Sequence, residues 1–92
     1  MLAVYPGEGA RYMRHVDNPG GNGRLLTLVY YLNFGWRERE HGGCLRLWRA
    51  DYSEPLATFA PPLDRAVLFW SDRRIPHEVM PAQRERIATQ IW

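Results

Sequence analysis

The sequence predicts an all-β fold, a sandwich or barrel, on three observations. Short runs rich in aromatic, aliphatic and β-branched residues recur along the 92 residues. Turn signals separate these runs, among them Pro6-Gly7, residues 18–23, Gly42-Gly43 and Pro61-Pro62. No segment has the 3.6-residue hydrophobic period of a long amphipathic helix. Regularly spaced short strands between turns are typical of sandwiches and barrels.

Eight strands account for the apolar runs. We place them at residues 2–5, 12–16, 25–32, 44–48, 56–59, 66–70, 77–79 and 86–92. The third and the sixth are the most apolar, so we expect both to be central. The eighth alternates Ile87, Thr89 and Ile91 with Ala88, Gln90 and Trp92, which is typical of a half-buried strand. Residues 36–40 could form one helical turn, but they are few and highly charged.

Length and composition limit the class of protein. A chain of 10.8 kDa forms one domain, residues 1–92, and 46% hydrophobic residues allow a packed core. No run of 18 apolar residues is present, so we expect no membrane-spanning helix, and because no basic region and long apolar run follow Met1 we expect no secretory signal. We therefore expect a cytoplasmic protein, or a nuclear and cytoplasmic one in a eukaryote. Cys44 is the single cysteine, which excludes an internal disulfide framework and a multi-cysteine zinc site.

The charge pattern gives no sign of a nucleic-acid partner. The net charge is only +2, and the 12 basic residues are scattered among the acidic ones instead of forming a patch. All 12 are arginines. Because no lysine is present, chemistry through a lysine Schiff base is excluded.

His15 and Asp17 form an H-x-D pair at the end of the second predicted strand. Side chains two apart on a strand point to the same face, so both can bind one ion. The pair alone is a weak signal, because a surface histidine beside a turn aspartate gives the same letters. His77 follows Pro76 at the start of a distant strand. Two histidines and one carboxylate form the facial triad of non-haem Fe(II) oxygenases.

Arg86 lies nine residues after His77. A tight turn near Pro81 would return the chain antiparallel and place Arg86 beside the strand that carries His77. A guanidinium deep in a barrel needs an anion, and a carboxylate matches its fork of donors. Tyr31, at the end of the third strand, could bind the same carboxylate, or it could be a core aromatic with its hydroxyl at the rim. These residues suggest an Fe(II) site that also holds a dicarboxylate co-substrate.

Five blocks of sequence carry a resemblance to a known family. They are YPGEGARYMRHVDNP at residues 5–19, YYLN at 30–33, GG at 42–43, FWSDRR at 69–74 and PHEV at 76–79. Together they resemble the hypoxia-inducible-factor prolyl hydroxylases and their bacterial and protist relatives, over essentially the whole chain. That family consists of Fe(II)- and 2-oxoglutarate-dependent oxygenases. The resemblance implies a double-stranded β-helix, a cupin-like jelly roll of eight core strands.

The resemblance also implies roles for individual residues. Arg86 matches the arginine that pairs with the distal carboxylate of 2-oxoglutarate, and Arg24 matches a position in a mobile loop that contacts the peptide substrate. Gln90 departs from the family, which has a small hydroxyl residue near the co-substrate, so we expect it to crowd the pocket or to replace a hydrogen bond. The other matches are iron ligands, namely His15, Asp17 and His77, and co-substrate pocket positions, namely Tyr5, Tyr31, Leu45 and Trp92.

The implied activity is hydroxylation of a prolyl residue in a target protein, in oxygen sensing and the hypoxia response. Fe(II) and L-ascorbate (vitamin C) would be cofactor and reductant, and 2-oxoglutarate and O2 the co-substrates. Two alternatives remain open: the same chemistry on another substrate, or a non-catalytic metal-binding β-barrel. The helices that precede the first strand in the family are absent from this chain, so we expect a core barrel, as a small protein or a fragment of a longer domain. The uncovered sheet face would then offer a surface for self-association.

Overall fold

The computed structural model describes residues 2–15, 26–71 and 74–91, with His15 described through its main chain. These residues form eight β-strands and one short helix, which confirms the predicted all-β fold. The helix is the single turn expected near residues 36–40. In chain order the elements are β1 Leu2–Tyr5, β2 Ala10–His15, β3 Leu26–Tyr31, α1 Glu38–His41, β4 Leu45–Trp48, β5 Pro55–Phe59, β6 Ala66–Trp70, β7 His77–Ala82 and β8 Arg86–Ile91.

The strands form two four-stranded antiparallel sheets. The first has the order β1-β8-β3-β6 and the second the order β2-β7-β4-β5. From β5 to β8 the chain alternates between the sheets, as expected for the predicted jelly roll. The core lies between the sheets and consists of Val29, Tyr31, Leu45, Leu47, Val67, Phe69, Val79 and Ala88. No helix in the described part of the chain is long and apolar enough to cross a membrane.

The outer face of the first sheet is apolar and exposed. β6 shows this best, because Val67 and Phe69 are buried while Leu68 and Trp70 on the opposite face are exposed. We had expected so apolar a strand to be central, and this was wrong, since β6 lies at the end of its sheet. Its apolar residues serve both faces of the sheet. The expected self-association through this face stays a prediction.

The predicted turn near Pro81 was also wrong. β7 continues through Pro81 to Ala82, and β7 and β8 lie in different sheets. Between the pairs Ala10–Ala82 and Tyr12–Val79, β2 advances by two residues and β7 by three, so β7 carries one extra residue. Such a bulge tolerates a proline, which has no N–H for the ladder. The chain then crosses over, so Arg86 faces the core from the sheet opposite His77.

Asn33 joins the end of β3 to the start of β8. Its side chain is 2% exposed. The amide nitrogen donates to the carbonyl oxygens of Pro61 at 2.8 Å and Ile87 at 3.0 Å. The amide oxygen accepts from the Ile87 N–H at 2.6 Å. One side chain therefore satisfies three main-chain groups.

Asn33→Ala should strongly destabilise the fold, because the Pro61 carbonyl and the Ile87 N–H lose their side-chain partner, whereas the Ile87 carbonyl keeps the Leu32 N–H. We expect the free energy of unfolding to fall by about 2–4 kcal/mol, measured by urea denaturation followed through tryptophan fluorescence. Gln83→Ala removes an exposed amide and serves as the control, with a change below about 0.5 kcal/mol. Equal stability of Asn33→Ala and wild type would contradict the structural role of this amide.

Candidate active site

A cavity of about 600 Å³ lies between the two sheets. Its volume is in the range of small-molecule sites, and its wall is mainly apolar with a few polar groups. The polar groups are the ones that could orient a ligand. The wall includes apolar Val29, Leu45, Phe69, Val79 and Ala88, together with Tyr5, Tyr31, His77, Arg86 and Gln90.

Arg86 is the buried charge of this cavity. The residue is 2% exposed. Its Nε donates to the carbonyl oxygen of Gly43 at 2.7 Å, and one terminal nitrogen donates to the Tyr31 hydroxyl at 3.4 Å. The guanidinium carbon lies 5.3 Å from the Tyr5 ring centre and 5.1 Å from that of Tyr31. Among the described residues no carboxylate forms an ion pair with it. A buried charge without a counterion is costly, so this guanidinium should bind an anionic ligand.

Gly43 makes room for the Arg86 side chain. Its φ of +69° is a conformation that side chains rarely adopt, and a Cβ here would lie 2.9 Å from Trp36 and 3.2 Å from Arg86 Cδ. The glycine therefore lets its own carbonyl approach Arg86 Nε. Sequence reasoning missed this acceptor, although the Gly42-Gly43 block was the signal that could have pointed to it.

The two tyrosine hydroxyls beside Arg86 stay protonated at neutral pH. Burial raises the pKa of the Tyr31 hydroxyl above its ordinary value, and the nearby Arg86 charge opposes part of the rise. Burial likewise raises the pKa of Tyr5, again opposed by Arg86. The Tyr31 oxygen accepts from Arg86, so its own proton can be donated to an anion bound at the guanidinium.

His77 lies at the start of β7 and is 3% exposed. Its Nδ1 is 3.3 Å from the carbonyl oxygen of Ile75. Because a carbonyl can only accept, Nδ1 is the donor in this contact, and Nε2 is then the ring nitrogen that could bind a metal, as is usual in metal-binding histidines. The Phe69 ring packs against the imidazole with 4.7 Å between ring centres. Sequence reasoning missed Phe69, although it lies in the FWSDRR block and on the inward side of β6.

The predicted site residues fall into two groups. Tyr5, Tyr31, Leu45, His77 and Arg86 all line the cavity. The main chain of His15 is paired directly with that of His77 in the β2–β7 ladder. Within residues 2–15, 26–71 and 74–91 no three His, Cys, Asp or Glu side chains are grouped to hold a metal. The remaining predicted site residues lie outside the described residues, namely Asp17, Arg24 and Trp92.

Cys44 borders this region but has no reactive thiol. Burial raises the pKa of the thiol to about 11, and the hydrogen bond from Sγ to the Glu38 carboxylate, at 3.4 Å, acts in the same direction. The pKa in an unfolded chain is near 9.0. Since folding raises it, the associated stability is complete below pH 9 and is lost as the pH rises toward 11.

Alkylation by iodoacetamide should report this protection. At pH 8 we expect folded Cys44 to react about 10- to 100-fold more slowly than the same thiol in urea, because so little of it is thiolate. The rate should rise steeply between pH 9 and 11. Cys44→Ala gives the background rate. Equal rates in folded and unfolded protein at pH 8 would show that the thiol is exposed and unperturbed.

The fold and the cavity define a class of protein: a jelly-roll barrel with a buried arginine for an anion and a metal-type histidine in one cavity. The chain matches the family model of the 2OG-Fe(II) oxygenase superfamily over residues 1–92. It is 50% identical to human "Prolyl hydroxylase EGLN3" over all 92 residues and 52% identical to the Caenorhabditis elegans "Hypoxia-inducible factor prolyl hydroxylase". It covers 38% of the human protein and 13% of the nematode protein.

Structural comparison agrees. A Trichoplax adhaerens prolyl hydroxylase, solved in complex with a hypoxia-inducible-factor oxygen degradation domain peptide, matches with a TM-score of 0.92 and 47% identity. The match covers 100% of this chain and 41% of that one. The chain belongs to the 2OG-Fe(II) oxygenase superfamily.

Two observations show that the described residues fit the groups for which the superfamily is named. The buried Arg86 guanidinium has no carboxylate partner among the described residues, which suits one carboxylate of 2-oxoglutarate. The Nδ1 contact of His77 with the Ile75 carbonyl makes Nε2 the ring nitrogen that could bind a metal, which suits Fe(II).

Proposed function

We propose that this chain forms the core of an Fe(II)- and 2-oxoglutarate-dependent dioxygenase that hydroxylates a prolyl residue of a target protein in the hypoxia response. The observation that carries the proposal is that Arg86 and His77 line one cavity from facing sheets. Arg86 can bind an anion there, and His77 can bind a metal. The relatives support the prolyl substrate, because the human and nematode proteins are named prolyl hydroxylases. The Trichoplax neighbour was solved with a peptide of a hypoxia-inducible factor.

Arg86 would bind the distal carboxylate of 2-oxoglutarate. Gly43 accepts from Nε, and the terminal nitrogens, one of which also donates to Tyr31, would supply the fork of donors for the carboxylate. Tyr31 would donate its retained proton to the same carboxylate. The low polarity of the surrounding wall strengthens both interactions, because water does not compete for the charge.

The metal would be held by His15, Asp17 and His77. The described contacts prepare His77 for this role, since Ile75 fixes its tautomer and Phe69 its ring plane. When bound, Fe(II) with O2 couples the oxidative decarboxylation of 2-oxoglutarate to hydroxylation of the prolyl ring, and L-ascorbate would keep the iron reduced.

The remaining residues would shape the site. Leu45 and Tyr5 line the described cavity and Trp92 would extend it, so that water is excluded from the co-substrate. Arg24 would contact the target protein. We propose that this partner is a prolyl-containing protein and not a nucleic acid or a membrane.

Anaerobic spectroscopy tests the site. Fe(II) and 2-oxoglutarate added together should produce a visible charge-transfer band that neither gives alone. O2 should then bleach the band and release succinate. A folded chain that shows no band would contradict the proposal and favour a non-catalytic metal-binding barrel.

Mass spectrometry tests the substrate class. Proteins captured from the source cell extract should include one whose proline gains an oxygen atom only when iron and 2-oxoglutarate are present. An oxygen gained instead by a small molecule or free amino acid, with the same co-substrate requirement, would keep the oxygenase chemistry and refute the protein substrate.

A further inference from the structure

A β-bulge lies in β2 directly before His15. Tyr12 is paired with Val79, and His15 is paired with His77. Between these two pairs β2 advances by three residues and β7 by two, so β2 carries one extra residue. Regular pairing from Tyr12 onward would instead place Arg14 opposite His77. The bulge therefore decides which residue of β2 lies opposite the histidine of the cavity.

A one-residue slip of the ladder is the alternative to this bulge. In the slipped register Arg14 would be paired with His77, and His15 would lie one position further on, opposite Pro76. Because side chains alternate along a strand, such a slip exchanges the two faces of the sheet. A metal site shared by positions 15 and 77 therefore requires the bulged register, and the contacts of Arg14 show what favours it.

Two aromatic rings hold Arg14 on the outer face of the second sheet. Its guanidinium carbon lies 4.6 Å from the ring centre of Trp48 and 4.4 Å from that of Tyr52. Both distances are in the range of cation–π contacts. In the part of the chain that the structure describes, no carboxylate forms an ion pair with Arg14. The outer stack of Tyr52, Arg14 and Trp48 is therefore what anchors this guanidinium.

Trp48 connects Arg14 to the strand that carries His77. Its indole N–H donates to the Glu78 carboxylate at 2.6 Å. Glu78 is only 8% exposed and directly follows His77, just as Arg14 directly precedes His15. The outer stack thus joins the neighbours of the two paired histidines through one indole on β4.

The turn between β4 and β5 supplies the second ring of the outer stack. Tyr52 has a φ of +63°, a left-handed conformation that is rare for a bulky residue. Its N–H donates to the Arg49 carbonyl at 2.9 Å, and its ring lies on Arg14. A left-handed conformation costs energy, so it persists where surrounding contacts compensate for the cost. The contact with Arg14 is one that does so.

We propose that Arg14 is a positioning residue that holds β2 in the bulged register and so keeps His15 opposite His77 for metal binding. In the slipped register Arg14 would lie on the face of His77 and would leave both rings. The outer stack therefore stabilises the bulged register alone. This inference rests on the proposed function, in which both histidines are metal ligands.

Calorimetric titration with Mn(II) tests the inference without turnover. Arg14→Ala should bind Mn(II) about tenfold more weakly than wild type, which is in the range found when an outer partner of a metal ligand is lost. Arg49→Ala is the matched control, because the described side-chain contact of Arg49 is an exposed ion pair with Glu54 at 3.7 Å. The Arg49→Ala variant should bind Mn(II) within about twofold of wild type.

Deletion of Met13 distinguishes positioning from a general effect on stability. The shortened chain has no extra residue in β2, so regular pairing from Tyr12 already places His15 opposite His77. In this background Arg14→Ala should change the Kd for Mn(II) by less than about twofold. A residue that only stabilised the fold would lower the affinity equally in both backgrounds, because independent effects add.

The outcomes separate this inference from the proposed function. If wild type does not bind Mn(II), the proposed function fails and this inference fails with it. If wild type binds Mn(II) and Arg14→Ala binds it within about twofold of wild type, the inference is overturned and the proposed function stands. An equal loss of affinity with and without Met13 would also overturn the inference.

A conservative variant decides the question if the chain without Met13 does not fold. Arg14→Lys keeps a cation between the two rings, so its affinity for Mn(II) should stay within about threefold of wild type. An affinity as low as that of Arg14→Ala, with an unchanged circular dichroism spectrum, would overturn the role of the outer stack.

Discussion

Arg86→Ala should weaken 2-oxoglutarate binding by at least about 30-fold, which corresponds to the lower end of the 2–5 kcal/mol lost when one partner of a buried charge pair is removed. The reason is the burial of the guanidinium, which is fixed by Gly43 and Tyr31 in a cavity that offers the ligand carboxylate little water. Calorimetric titration of the Mn(II)-loaded chain measures the effect. Arg86→Lys should recover only part of the affinity, because an ammonium lacks the planar fork of donors.

Arg84→Ala is the matched control for Arg86→Ala. Arg84 lies two residues earlier, but it donates to the Phe34 carbonyl at 2.9 Å and stacks on Trp36, away from the cavity wall. Its removal should leave the affinity for 2-oxoglutarate within about twofold of wild type. If Arg86→Ala bound 2-oxoglutarate as tightly as wild type, with an unchanged circular dichroism spectrum, Arg86 could not be the partner of the distal carboxylate.

His77→Ala should abolish tight iron binding. Loss of an outer partner of a metal ligand typically costs 10- to 100-fold in affinity, and we expect removal of a ligand itself to exceed about 100-fold. Metal content after anaerobic loading and desalting, and the Kd for Fe(II), measure the effect. The charge-transfer band with 2-oxoglutarate should disappear in the same variant.

His41→Ala is the control for His77→Ala. His41 lies at the end of α1, where its Nδ1 accepts from the Arg37 N–H at 2.8 Å and its ring contacts Trp36. The His41→Ala variant should bind iron as the wild type does. If His77→Ala still retained about one iron per chain, His77 could not be a ligand, and the metal site would have to be sought elsewhere.

Local patterns were sufficient to predict the strands and their faces. β1 and β6 begin and end at the predicted residues, and Arg86, Ala88 and Gln90 share the inward side of β8 as the alternation required. Side chains alternate with period two along any strand, so this information is contained in neighbouring residues. The pairing of strands cannot be predicted from neighbouring residues, because it depends on contacts between segments that are distant in the sequence.

The two incorrect expectations about the fold show this difference. Pro81 was interpreted as a turn, but a bulge opposite β2 accommodates it within β7. β6 was expected to be central because it is apolar, yet it lies at the end of its sheet. Neither the bulge nor the sheet order can be predicted from the sequence of one strand, because both depend on its partner strands.

The sequence by itself determined the eight strands, the H-x-D pair with a distant histidine, and the need of a buried arginine for an anion. These follow from side-chain chemistry and short-range spacing. Only the tertiary structure decided that Arg86 and His77 face each other from opposite sheets and that Gly43 and Ile75 hold them. The physical reason is that these relations are set by how two sheets register and pack across a shared core, which is a property of the whole chain.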